Sequence, residues 1–270
     1  MAPESVDKAA AELAAARRSG RAIAAISEAV RPATAADGYA VQRAFIGIWD
    51  DPVAGWKAGA TAKPVQDRFG LTEPFLGPMF RSTVRQSPAI VEAEAFDLRA
   101  SPADGKRAVS VEVEFAFRLA RDLASRSGGY AESEVLNAID VMIPAMEIIT
   151  PRLDPVPGGV PGQALADSGL NGGIVLGQPV ADWRGIDYPA FATKLVVDGK
   201  TVVEGTGVLV LGHPFKSLVW LVNNVSAQGH TLVAGQVLTT GSMTGIYQVP
   251  RGSEAVGDFG ALGRVVARIV

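Results

Sequence analysis

From Val109 to Phe117 the chain alternates without a break, with Val111, Val113, Phe115 and Phe117 on one side of an extended backbone and Glu112 and Glu114 on the other. A period of two over this length predicts a β-strand with one face in the core. The same strand carries two carboxylates whose Cβ atoms lie roughly 6–7 Å apart. Carboxylates that close repel each other unless solvent or a cation intervenes. Two readings follow: a solvated strand face, or a cation site.

A second segment bears on the choice. Val141-Met142-Ile143-Pro144-Ala145-Met146-Glu147-Ile148-Ile149 is uncharged apart from Glu147 and is built for the interior. A bare carboxylate there is costly. Glu147 must therefore be protonated, paired with a cation from elsewhere in the fold, or bound to a metal. With no Cys and only two His in the chain, a metal would rest on oxygen or imidazole. Three carboxylates suit a hard ion such as Mg²⁺ or Mn²⁺.

Lys57 sits in Gly55-Trp56-Lys57-Ala58-Gly59, where flanking glycines allow close approach of backbone or ligand and Trp56 is placed to desolvate the ammonium in part. A solvated strand lysine and an anion-binding or catalytic one both fit. Thr239-Thr240-Gly241-Ser242-Met243-Thr244-Gly245 gathers hydroxyls and glycines that suit either a strand-to-turn junction or a carboxylate cradle. His213, before Pro214, and His230, after Gly229, read as helix-boundary or surface residues rather than bases.

The surroundings of these residues are β-rich. After Pro52 come short apolar runs broken by Gly and Pro, and Asp198-Gly199 between Leu195-Val196-Val197 and Thr201-Val202-Val203 predicts a tight hairpin. Before Pro52 the chain reads as helical: an Ala-rich helix from about Val6 to Ser19 stopped by Gly20, a short helix before Arg31-Pro32, and a helix opened by Thr34 and Asp37 acting as a capping box. Further helices are expected at about Glu132–Ile139 and Pro214–Gln228. The Gly- and Pro-rich stretch from Arg152 to Gly173 reads as a functional loop. At 270 residues the expectation is one domain overall, with residues 1–50 a helical segment packed on a β-rich catalytic body, residues 51–270.

A net charge of −3 without a dense basic run speaks against nucleic acid as a partner. No run of 18 uninterrupted apolar residues supports a membrane span, and the first twenty residues lack the apolar core of an export signal, so a cytoplasmic protein is expected. The local motifs of serine hydrolases, zincins, nucleotide hydrolases and dinucleotide enzymes are missing.

Taken in order, Gly55-Trp56-Lys57-Ala58-Gly59, Glu112-Val113-Glu114, Pro144-Ala145-Met146-Glu147-Ile148, Gly212-His213-Pro214 and Thr240-Gly241-Ser242 resemble the 2-keto-4-pentenoate hydratase and 4-oxalocrotonate decarboxylase group of the fumarylacetoacetate hydrolase superfamily. The resemblance implies an α+β fold, a mixed β-sandwich roll with flanking helices. It implies Mg²⁺ or Mn²⁺ on Glu112, Glu114 and Glu147, Lys57 beside a small 2-oxo or 2-hydroxy acid, and a homo-oligomer. The implied reaction is hydration of a 2-hydroxy-2,4-dienoate to a 4-hydroxy-2-oxo acid. The alternatives are decarboxylation of a 2-oxo-3-enedioate and, third, a non-catalytic partner subunit.

Two departures from the group's pattern stand out. Phe75, in Glu73-Pro74-Phe75-Leu76-Gly77-Pro78, occupies the place of an acidic residue, so Glu73 or Asp67 becomes the candidate substitute proton donor. In Ala166-Asp167-Ser168-Gly169-Leu170-Asn171-Gly172, Ser168 and Leu170 replace Asn and Ser. Ser242, Thr240, Asp167, Leu170 and Phe75 are the expected substrate contacts.

Overall fold

The computed structural model describes residues 1–92, 108–154, 156 and 158–270. In chain order the elements are α1 (Pro3–Ser19), α2 (Ala35–Ile48), β1 (Val53–Gly59), α3 (Lys63–Phe69), β2 (Phe75–Phe80), β3 (Val84–Gln86), β4 (Ala89–Val91), β5 (Ala108–Leu119), α4 (Glu132–Leu136), β6 (Ile139–Ile149), α5 (Pro161–Ala166), β7 (Asn171–Leu176), β8 (Ala192–Val197), β9 (Lys200–Thr206), α6 (Pro214–Ala227), β10 (Val237–Ser242), β11 (Tyr247–Pro250), β12 (Glu254–Asp258) and β13 (Arg264–Ile269).

Two mixed sheets are built from these strands. The larger has the order β2-β1-β10-β5-β6-β7-β3, with β11 also paired to β5, and the smaller has the order β4-β13-β12-β8-β9. Although β2 and β7 lie near opposite ends of the larger sheet, they approach each other in space. The sheet therefore curls into a roll with an inner face. Its outer face meets the smaller sheet, where Val111, Val113, Phe115 and Phe117 of β5 pack with Phe259, Val265 and Ala267. The α+β roll with flanking helices matches the architecture expected from the sequence.

Local chemistry explains several elements. Thr34 Oγ1 accepts from the Asp37 amide at 3.1 Å and the Asp37 carboxylate accepts from Thr34 N at 3.3 Å, closing the capping box that opens α2. Asp198 and Gly199 take positive φ of 49° and 79°, which permits the two-residue β8–β9 hairpin. Helices α1 and α2 seat Leu13, Val41 and Phe45 against Phe80, Leu153 and Ala166.

Three expectations need correction. The helix expected to reach Ile139 ends at Leu136, because Ile139 is taken as a strand residue opposite Leu119. The short helix before Pro32 is one 3-10 turn, Glu28–Val30. The stretch from Arg152 to Gly173 is not one loop: it contains α5 and the start of β7, joined by Ser168, Gly169 and Leu170 at φ of 52°, 59° and 67°. Three successive residues in the left-handed region are held only where packing over-determines them. One such contact is the carbonyl of Ser168, which would lie 2.1 Å from a Cβ at Gly77 of β2. Gly77→Ala is therefore expected to cost about 1–3 kcal/mol, read as a fall in the thermal midpoint. An unchanged midpoint would show that this turn does not rest on β2 in solution.

Candidate metal centre and active site

Strand register assembles the site on the inner face of the roll. Glu112 and Glu147 are direct partners across β5 and β6, so their side chains leave the sheet on the same side. Glu114 follows two residues along on that side. On β10 the register shifts between Thr239, opposite Ala116, and Ser242, opposite Glu114. The extra residue this inserts turns both Thr239 and Ser242 toward the glutamate face. Gly241, at φ 102°, occupies the bulge, and its N–H donates to Glu114 Oε2 at 2.9 Å. Lys57 is the partner of Thr239 on the other side of β10, which places it on the same face.

One carboxylate oxygen from each of Glu112, Glu114 and Glu147 lies within 4.8 Å of the others. Glu114 and Glu147 are completely buried, and Glu112 is partly exposed. Lys57 is buried too, with Nζ 3.4 Å from Glu147 Oε1. That oxygen also accepts from Asn171 Nδ2 at 2.9 Å. Glu114 Oε1 and Glu147 Oε2 have no protein partner. Unpartnered buried oxygens within a convergent, oxygen-only donor set fit a hard divalent cation.

The electrostatics agree with that fit. Burial, then the charge of Glu147, pushes the Glu112 carboxyl up to about 7, against the opposing effects of Lys57 and Ser242. Burial followed by Glu147 and Glu112 holds the Glu114 carboxyl well above the usual range. Ser242 Oγ is buried without a partner of strict hydrogen-bond geometry, yet it is close enough to Glu112 to favour the ionised form. Without metal, the native state thus keeps protons that the unfolded chain gives up near 4.5, the ordinary value. The contribution of the Glu112 proton to stability is present below about pH 4.5 and is lost as pH rises through about 7. Chelator-treated protein should therefore lose thermal stability between pH 5 and pH 8, and added Mg²⁺ should restore it at the upper end, where the carboxylates are ionised and free to bind. A metal-free midpoint flat across this range would contradict the buried, mutually repelling triad.

Other expected contacts are placed differently. The Lys57 ammonium is covered by Phe75, 4.7 Å from its ring centroid, and not by Trp56. Adjacent strand residues point to opposite faces, and Trp56 packs on His230 with ring centroids 4.8 Å apart. Thr240 is turned away from the carboxylates: its hydroxyl donates to Phe115 O at 3.3 Å. Asp167 is buried and engaged by Arg152, accepting from its N–H at 2.7 Å with Nε 3.4 Å away. Leu170 packs in the apolar cluster with Phe69, Leu71, Phe75 and Ile149. Glu73 and Asp67 are both exposed, Glu73 accepting from Trp220 Nε1 and Asp67 pairing with Lys63. His213 caps α6, its Nδ1 accepting from Phe215 N at 3.1 Å.

Sequence reasoning missed Asn171 and Arg152. The Arg152 guanidinium donates to the Thr150 and Asn171 carbonyls, so it secures the strand end that presents Asn171 to Glu147. The available signal was a charged residue and an amide directly flanking apolar or glycine-rich strand ends, in Thr150-Pro151-Arg152 and Leu170-Asn171-Gly172.

Three inward carboxylates and a buried lysine place this protein among enzymes able to hold a hard cation on oxygen donors. The chain belongs to the fumarylacetoacetate (FAA) hydrolase C-terminal family, whose model matches residues 62–270. It is 29% identical over 229 residues to a 2-hydroxyhexa-2,4-dienoate hydratase of Comamonas testosteroni, covering 84% of this chain and 83% of that one. It is 30% identical over 257 residues to a 2-keto-4-pentenoate hydratase of Paraburkholderia xenovorans (strain LB400), covering 90% and 87%. In fold it is similar to a 4-oxalocrotonate decarboxylase from Pseudomonas putida G7 complexed with magnesium and adipate, with a TM-score of 0.86 at 23% identity, covering 100% of this chain and 99% of that one. The protein is an enzyme of the lyase type. No described helix is long and apolar enough to cross a membrane.

Proposed function

We propose that the protein is a divalent-metal-dependent lyase that hydrates a 2-hydroxy-2,4-dienoate to a 4-hydroxy-2-oxo acid. The observation that carries this reading is the convergence of Glu112, Glu114 and Glu147 beside the Lys57 ammonium. A cation such as Mg²⁺ or Mn²⁺ held there would supply Lewis-acid polarisation of the substrate's 2-oxygen. The residues of the chain do the rest. Lys57, buried between Phe75 and Glu147, carries the proton that moves from the 2-hydroxyl to the far end of the diene on ketonisation. Water then adds across the C3–C4 double bond, its oxygen to C4 and a proton to C3. Asn171 and Arg152 keep Glu147 oriented, and Ser242 faces Glu112 at the partly exposed side. A homo-oligomer in the cytoplasm, with residues 1–50 and 51–270 acting as one domain, completes the reading.

A panel of 2-hydroxydienoates and 2-oxo-enedioates tests it, followed by loss of dienoate absorbance and by product mass, before and after chelation. Water gain that disappears with the metal supports hydration. Loss of carbon dioxide would assign the decarboxylase reaction instead. The Phe75 ring that covers Lys57 offers no acid or base to orient water, and the carboxylate at the ammonium is that of Glu147. Phe75→Asp is accordingly expected to raise the hydration rate of 2-hydroxypenta-2,4-dienoate by about tenfold or more. A wild-type rate that is already high, with no gain in the variant, would leave proton chemistry to Lys57 without a second acid.

A further inference from the structure

We infer that the site selects a 2-oxo or 2-hydroxy acid with a single carboxylate and an uncharged, apolar far end, and that Phe75 and Leu170 set this selectivity. The inference rests on the functional reading above and narrows its substrate class. Alternation along β2 puts Phe75, Gly77 and Met79 on the inner face of the roll, with Phe75 opposite Gly59. Phe75 therefore stands one step beyond Lys57 along the barrel wall. There it joins Ala60, Phe69, Leu71, Ile149 and Leu170 in one apolar cluster. The fit is tight: a Cβ on Gly59 or on Gly169 would come within 2.4 or 2.7 Å of the Phe75 ring. A substrate whose carboxylate end lies at the glutamates and Lys57 meets this wall with its tail.

No described cation in the site is free to meet a second carboxylate. Lys57 lies between the Phe75 ring and Glu147. Arg152 is committed to Asp167 and to the carbonyls of Thr150 and Asn171. Arg17, whose buried Nη1 has no hydrogen-bond partner, is held outside the site over the rings of Trp49 and Phe80, the latter placed by alternation on the outer side of β2. Arg68 is exposed on α3, its guanidinium 5.8 Å from the ring centroid of neighbouring Phe69 and outside the buried site. Charge points the same way. The triad and Lys57 together carry two negative charges when ionised, which one divalent cation cancels. A first carboxylate then leaves the site with one unit of negative charge, and a second would be desolvated against Phe75 and Leu170 without a counter-ion.

The test uses Mg²⁺-loaded protein and two unreactive six-carbon probes, 2-oxohexanoate and 2-oxoadipate, titrated by calorimetry. The monoacid is expected to bind at least about tenfold more tightly. Phe75→Arg should remove or reverse that preference, with its thermal midpoint checked, and Phe75→Leu, which keeps the wall apolar, should retain it. Equal or tighter binding of 2-oxoadipate to the wild type overturns the inference and leaves the lyase reading standing. Binding of neither acid by protein that does bind Mg²⁺ overturns the lyase reading and the inference with it.

Discussion

Glu147→Gln is expected to weaken Mg²⁺ binding by more than about 100-fold and to remove metal-dependent turnover, since even the outer partners of metal ligands are worth roughly 10–100-fold. Glu147 is the hub of the site: it faces Glu112 across the ladder, meets Lys57 at 3.4 Å, and is held by Asn171. Gln keeps the shape but loses the charge and one of two acceptor oxygens. Its effect on metal-free stability should be small beside the loss of metal, because two changes oppose each other. Lys57 loses a buried partner, while Glu112 and Glu114 lose a repelling neighbour. Calorimetric metal titration together with metal-free thermal midpoints checks both parts. Wild-type affinity in the variant would remove Glu147 from the metal site.

The second large effect is expected at Lys57. Lys57→Met should reduce turnover by about 10²–10⁴-fold, the range for loss of a positioned proton carrier, while Mg²⁺ affinity is retained. Met fills the same slot against Phe75 and Gly169, so folding should survive. It also removes a positive charge beside the triad, which if anything favours the cation. A variant that turns over normally would assign Lys57 to structural pairing with Glu147. One that loses metal binding along with activity would assign it to the architecture of the triad.

The candidate site was legible in part because its signals are local. Alternation from Val109 to Phe117 predicts a strand and a shared face for Glu112 and Glu114 from backbone geometry alone. Glu147 stood out as the one charge in an apolar run. The Asp198-Gly199 hairpin and the Thr34–Asp37 cap were readable for the same reason: each is decided within four residues. Where neighbours in space overrule neighbours in sequence, the reading fell short. Ile139 joins β6 because Leu119 pairs with it, and Thr240 faces Phe115 instead of the carboxylates because of a bulge that no local rule announces.

The strand texture, the N-terminal helices and the three carboxylates that could hold a cation could all be read from the chain alone, since periodicity and the cost of burying charge act through composition and spacing. Their surroundings depend on long-range contacts. Antiparallel pairing of β2 with β1 sets Phe75 on the same face as Lys57, one pair along, so that Phe75 and not Trp56 covers the ammonium. The left-handed turn at Ser168–Leu170 brings Asn171 to Glu147, and Arg152 fastens it there. These contacts join residues far apart along the chain. They depend on register, bulge position and sheet curvature, which emerge only when the whole roll closes around its core.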